Sequence, residues 1–223
     1  MKITIISLLL GTLFIAFSDP EAGPEKGSKK YNQAMQAQIH LVDTAKTVNS
    51  FIAAANTFER IASAEKKEWL PAYYAAYSYL NAAMATRDLD KVDAYCDKAE
   101  SLLVTSGEKK SADQSEILCL YALAYTTRIR VDMFGRGLEY ITMAEKLLKD
   151  ATEADPTNPR SYYLRARNVM GRPKQFGGGL EAGLPLLKIA GQRFDAKPHE
   201  TKSLLPNWGR KRTKEILNAA ANN

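Results

Sequence analysis

In the run AEKLLKDATEADPTNPRSYYLRA, apolar or small residues recur at Ala144, Leu147, Leu148 and Ala151. Spacings of three and four predict a helix with one buried face. Asp155-Pro156-Thr157-Asn158-Pro159 then stops it, because proline lacks an amide hydrogen and drives the preceding residue out of helical geometry. Pro159 suits the first turn of a new helix, and Tyr162, Tyr163, Leu164 and Ala166 restart the apolar pattern at once. Two helices joined by so short a link pack antiparallel, and a small residue such as Ala166 allows their close approach.

The same arrangement recurs along the chain. A small or apolar residue, then a larger one four positions on, then another three further, occurs at Ala54/Phe58/Ile61, Val92/Cys96/Ala99, Ala144/Leu148/Ala151 and Ala182/Leu186/Ile189. Successive matches lie 38, 52 and 38 residues apart, which places an insertion in the third unit. Each match follows another helix-like run. Tyr31 to Val42 pairs with Ser50 to Ala64, and Trp69-Leu70-Pro71 opens a helix through about Thr86. A long helix from Asp113 to about Met133 is broken by Phe134-Gly135-Arg136-Gly137, and Arg160 to Met170 forms the last first helix. The loop GRPKQFGGG leads to a helix beginning near Leu180, with Phe176 tucked into the core. A proline-punctuated stretch after Phe194 precedes a terminal helix from about Arg210 to Ala221.

This pattern resembles the tetratricopeptide repeat (TPR), in which helical hairpins of about 34 residues stack side by side. The resemblance covers residues 30–195 and departs from the family in its Tyr/Ala-rich first helices. It implies an all-α, right-handed superhelix of four antiparallel helix pairs, with residues 196–223 as a return segment and a C-terminal capping helix. WLPAYYAAYSYLNAA, FGGG and Leu-Pro-Asn-Trp-Gly are similar to small exported TPR proteins of Gram-negative envelopes, a group that implies location more than mechanism.

The N-terminus is a different kind of text. Lys2 supplies a short positive region, Ile3 to Phe17 is almost wholly apolar, and Ala16-Phe17-Ser18 has the small residues of a cleavage site. This reads as a signal peptide cut after Ser18. The apolar run is short for a span, which needs roughly 20 residues, and no cysteine near the cut offers a lipid anchor. Residues 19–29, rich in Pro, Gly, Glu and Lys, read as a flexible leader. A periplasmic or secreted chain without stable membrane insertion follows. Hydrophobic residues at 45 % and charged residues at 25 % are ordinary globular composition, and scattered basic residues behind a net charge of +6 do not imply nucleic-acid binding.

Aligned on the small residue of each first helix, Tyr73/Tyr77, Tyr121/Tyr125 and Tyr163/Arg167 fall at equivalent i, i+4 positions, with Asn81, Arg128 and Met170 one turn on. In TPR arrays such positions point into the concave face. A tyrosine-lined groove would grip an extended peptide or a helix; the alternative is that these rings fill space between helices. Tyr74 and Tyr79 lie on other faces and belong to the core. GRPKQFGGG has the glycines, Arg172, Lys174 and following helix of an anion site, but not the Gly-Lys-Ser/Thr ending of a phosphate-binding loop, and reads mainly as a turn. Cys96 and Cys119 are either a disulfide between consecutive helices or two buried thiols. His40 and His199 stand in no ligand cluster, and no catalytic motif appears. Arg210, Lys211, Arg212 and Lys214 could meet acidic lipid headgroups or form the wet side of the capping helix, while Trp208 anchors the return segment by packing. The expectation is a non-catalytic adaptor without metal or cofactor, holding a protein or peptide partner in the cell envelope; the alternative is a small-molecule-binding component associated with a transporter.

Overall fold

The structure is a computed structural model that describes residues 29–197 and 203–222. The signal segment, most of the leader and His199 lie outside the described residues. Nine α-helices and one short 3-10 turn make up the described chain, which contains no strand. They are α1 (Lys29–Thr44), α2 (Val48–Ala64), α3 (Leu70–Ala85), α4 (Asp90–Gly107), α5 (Gln114–Arg128), α6 (Met133–Ala154), α7 (Pro159–Gly171), α8 (Leu180–Ala196) and α9 (Arg210–Ala221).

Local chemistry sets most of the boundaries. Thr47 and Ser50 form a reciprocal capping box at the start of α2, satisfying amides that the first turn leaves unpaired. Asp113 caps α5, Asn158 caps α7, and Pro71 and Pro159 occupy first-turn positions of α3 and α7. The long helix expected to reach Met133 ends at Arg128 instead. Asp132 starts a new helix by accepting the Gly135 amide at 2.8 Å, so Phe134-Gly135-Arg136-Gly137 is the opening of α6 rather than a break. A Cβ on Gly135 would meet the Asp132 carboxylate at 2.2 Å, which is why glycine suits this cap. Most of the insertion in the third unit is therefore the front of α6, which starts 11 residues before Ala144, whereas α4 starts two before Val92.

Each even helix packs on the odd helices before and after it, giving a solenoid-like row of antiparallel hairpins. The odd helices α1, α3, α5 and α7 also touch one another in succession, whereas the even ones barely meet. The odd helices thus form the inner layer of the row and the even ones its outer layer. Central position explains why α3 buries nearly all its side chains, Tyr74 and Tyr79 included. In α4, Val92, Cys96, Ala99 and Leu103 are fully buried at spacings of four, three and four, the single-face stripe that hydrophobic burial selects.

The fourth match is displaced by one residue. Ala182 is exposed, and the buried stripe of α8 is Gly183, Leu187, Ala190 and Phe194. Gly183 wins because α7 and α8 lie so close that a Cβ there would stand 2.8 Å from the Ala166 carbonyl oxygen and 2.4 Å from Met170 Cγ. Phe176 is exposed rather than tucked into the core, since the 3-10 turn Lys174–Phe176 stands clear of the helices. The cysteines are two buried free thiols. Burial pushes the Cys96 thiol up to about 12 and Cys119 well above its ordinary value.

Gly183→Ala is expected to cost about 1–3 kcal/mol in chemical denaturation, because the obstructing atom is backbone and cannot rotate away. Neither thiol should react with a maleimide at mildly alkaline pH in the native protein, and both should react once it is unfolded.

Candidate functional site

The inner face of the row is not vacant. Residues 203–209 cross it, and Tyr74 fixes the crossing by donating its hydroxyl to the Leu204 carbonyl at 3.0 Å. Trp208 then enters between the odd helices. Its ring stacks on Tyr77 with centroids 5.0 Å apart, meets the edge of Tyr163 at 6.3 Å, and its indole N–H donates to the Tyr73 hydroxyl at 2.8 Å. Gly209, at φ +90, turns the chain into α9 where a Cβ would press on Tyr163 and Phe194 at 3.2 and 3.3 Å. Thr213 of α9 is fully buried and lies near Gly191 of α8. Trp208 thus anchors the segment that leads into α9.

Beneath Trp208 lies a buried charged pair. Glu116 opens α5 and Arg160 opens α7; their side chains are 3 % and 4 % exposed. Arg160 Nε donates to both Glu116 carboxylate oxygens at 2.8 and 2.7 Å, and its Nη2 adds a further short bond to Oε1. Tyr73, from the first turn of α3, donates its hydroxyl to Glu116 Oε2 at 2.8 Å. Burial, reinforced by the Glu116 charge, pushes the Tyr73 phenol well above its ordinary pKa, so it remains a neutral donor. Burial alone would lower Arg160, but the Glu116 charge more than offsets this and holds the guanidinium cationic. The same guanidinium lies over the Trp208 and Phe194 rings at 5.5 and 5.8 Å. One ion pair therefore ties α3, α5, α7, α8 and the return segment together.

Two hollows, both open to solvent, lie beside this plug. One, of about 560 Å³, lies between α1 and the return segment and is lined by residues including Ile39, His40, Phe194, Leu205 and Arg210. The other, of about 550 Å³, is lined by Met84, Tyr163, Arg167, Met170, Gly171, Leu180, Arg212 and Ile216. Its apolar side chains come from α3, α7, α8 and α9, and its two cations stand at the rim, where Arg167 and Arg212 are exposed. Arg167 lies over the Tyr163 ring at 5.7 Å, and among the described residues no carboxylate pairs with it. Both volumes are on the scale of small-molecule sites.

The eight residues expected to line one groove fall into two sets. Tyr73, Tyr77 and Tyr163 gather around Trp208, with Arg167 over the Tyr163 ring and Asn81 donating to the Tyr77 carbonyl at 2.7 Å. Tyr73 and Tyr163 are buried by this packing. Tyr121, Tyr125 and Arg128 face α4 and α6 instead. Tyr121 reaches the Glu100 carbonyl, Tyr125 meets Tyr140 edge-on at 5.5 Å, and Arg128 pairs with Asp93, Asp97 and Glu100 at 3.3, 2.8 and 2.9 Å. The i, i+4 spacing is shared, but the two sets sit on different faces of their helices. Glu116 and Arg160 escaped sequence reasoning, although a signal existed: Glu116 stands on the apolar stripe of α5 with Leu120 and Leu123, where a lone carboxylate needs a partner. Arg212 stood out only as part of a basic cluster, and nothing in the sequence joined it to Met84, Leu180 and Ile216, which the fold brings around one hollow.

Among the described residues no group of three or more His, Cys, Asp or Glu side chains comes together as a metal site, and no helix is long and apolar enough to cross a membrane. Fold and hollows together define a class: an all-helical, solenoid-like chain whose inner face is plugged by its own C-terminal segment. No protein-family model matches the sequence, and a search among curated proteins finds no match. Among solved structures the chain is similar to the HusA haemophore from Porphyromonas gingivalis, at 30 % identity and a TM-score of 0.75 over 86 % of this chain and 93 % of that one. The chain belongs to the HusA family.

Glu116→Ala would strand Arg160 as an unpaired buried charge. We expect a loss of about 3–5 kcal/mol in urea denaturation, with the emission of Trp208 moving toward that of a solvent-exposed indole.

Proposed function

We propose that this protein is a non-catalytic carrier that takes up a haem-type tetrapyrrole in the hollow beside Tyr163 and Arg167. The observation that carries the reading is the make-up of that hollow: Met84, Met170, Leu180 and Ile216 offer apolar surface, Tyr163 an aromatic one, and two arginines stand at the rim. A tetrapyrrole of this kind is a flat apolar ring with carboxylates along one edge. The apolar walls suit its faces and the guanidiniums suit its carboxylates through charge-assisted bonds. Met84, Met170 and Tyr163 also belong to side-chain types that ligate haem iron. Kinship with a protein called a haemophore supports the same ligand class.

A peptide held along a continuous concave groove is less well supported, because Trp208 already occupies the row of Tyr73, Tyr77 and Tyr163. Separate hollows in place of one continuous trough favour the small-molecule alternative. The rest of the reading is an exported chain, cut after Ser18 and periplasmic or secreted. Residues 30–195 form TPR-like hairpins in a right-handed superhelix, and residues 196–223 close it.

Titration of the mature chain with ferric haem should shift the Soret band and quench Trp208, which touches Tyr163 at the wall of the hollow. Arg167→Ala combined with Arg212→Ala is expected to weaken haem binding at least about tenfold, since a charge-assisted bond is worth about 1.5–3 kcal/mol. A dimethyl-esterified ring should be nearly indifferent to the same change. Equal haem affinity in the double variant would exclude this hollow, and no spectral change in the unaltered protein would overturn the reading.

A further inference from the structure

The hollow beside Arg167 has one wall unlike the others. Met84, Tyr163, Met170 and Leu180 stand on α3, α7 and α8 of the packed row, whereas Arg212 and Ile216 stand on α9. That helix packs chiefly on α8, and of its 12 residues only Thr213 is buried. Its first turn is well fixed. Thr213 donates its hydroxyl to the Gly209 carbonyl at 2.8 Å. Arg210 donates to Asn207 Oδ1 and the Lys197 carbonyl at 2.9 and 3.0 Å, and lies over the Phe194 ring at 5.3 Å. Beyond Thr213 the hold is thin. Ile216, Leu217 and Ala220 are half-buried and the remaining residues are exposed. Leu217 seats on Gly191, where a Cβ would stand 3.0 Å from the leucine Cδ1. Lys214 meets Asp195 at 3.1 Å, an exposed pair of little worth.

Nor does the sequence of α9 favour a helix by itself. A helix of this length is marginal in water without tertiary support. Arg210, Lys211 and Arg212 fill its first turn, no acid stands there, and no base stands in its last turn. That is the reverse of what the helix dipole favours, and Gly209 adds no side-chain cap. Two acids compensate in part, Asp195 with Arg210 and Lys214 at 3.8 and 3.1 Å and Glu215 with Arg212 at 3.1 Å, but both are exposed and so contribute little. An anionic guest beside Arg212 would supply negative charge that this helix start lacks. Apolar surface of the same guest against Ile216 would give the last two turns a second seat besides Gly191.

We infer that α9 is a clamp on this hollow: residues 214–221 open readily while it is empty, close when an anionic amphiphile fills it, and set how long the guest stays. The identity of the guest rests on the tetrapyrrole reading. The clamp turns on one contact with the body of the arch. When Leu217 leaves Gly191, Ile216 leaves the guest with it, while Tyr163, Met170 and Leu180 stay where the packed row holds them.

The test uses the mature chain with and without ferric haem. In the empty protein, amide hydrogen exchange at 214–221 is expected to be about tenfold or more faster than at 187–194 of α8, where core side chains are buried. Haem should slow exchange at 214–221 and leave α8 nearly unchanged. Leu217→Ala should speed the transfer of bound haem to an apoglobin acceptor by about fivefold or more. In a chain carrying Gly191→Cys with Leu217→Cys, oxidation ties α9 to α8. Transfer should then slow several-fold and recover on reduction, the two native thiols being buried. Comparing oxidised and reduced forms of one variant separates clamping from a general loss of packing. Exchange at 214–221 as slow as in α8 in the empty protein, or transfer indifferent both to Leu217→Ala and to oxidation, overturns the inference. No Soret shift in the unaltered chain would sink the carrier reading and the clamp with it; a Soret shift with exchange and transfer indifferent to α9 would sink the clamp alone.

Discussion

The contact between Arg160 and Glu116 is the constraint on which the rest of this arch depends. An ion pair taken out of water costs several kcal/mol per charge, and only dense hydrogen bonding and good geometry recover it. Here the recovery draws on every layer. Two guanidinium nitrogens and the Tyr73 hydroxyl serve one carboxylate, and the Trp208 indole in turn serves Tyr73. None of these groups can shift alone without stranding another. Whatever the net stability of the pair, it fixes the register in which α3, α5 and α7 lie side by side, because all three residues stand in the first turns of their helices.

That register has consequences for shape. A solenoid of hairpins ordinarily leaves its inner layer free for a guest, and here the chain supplies its own. The segment before α9 threads across α3 and hangs Trp208 on the polar cluster, with Gly209 giving the φ +90 turn that lets α9 fold back onto α8. Close approach is then enforced by small residues: Gly191 beneath Leu217, Gly183 against Ala166. The inner surface is reduced from a trough to two pockets with walls from both ends of the chain. The hollow beside Arg167 has a volume near 550 Å³.

The outer elements answer to different physics. Arg128 sits in a triangle of carboxylates from α4, and Arg136 adds a second cation on Asp93. These bonds hold the α5–α6 corner upright and let the first turns of α6 stand out with Met133, Phe134 and Leu138 unpacked. Exposing such side chains sacrifices burial worth about 1.5–3 kcal/mol each, so the corner is not explained by folding stability.

Most of the architecture could be read without coordinates. Helix periodicity marked eight of the nine helices to within a few residues at nearly every end, because a single buried stripe at spacings of three and four leaves few alternatives. Capping residues and prolines announced the turns, and Trp208 announced its anchoring role by standing alone in a loop. The errors were ones of face and register. Ala182 and Gly183 are both small, and only the distance to the Ala166 carbonyl decides between them. Tyr121 and Tyr163 share a local pattern, yet one looks toward α4 and the other toward Trp208, since helix rotation is set by neighbours and not by spacing. The partnership of Glu116 with Arg160, 44 residues away, and the arrival of α9 beside α3 and α7, are products of long-range packing. Periodicity along one chain fixes what each helix buries; which strangers meet in the space between helices is decided only when the whole arch closes.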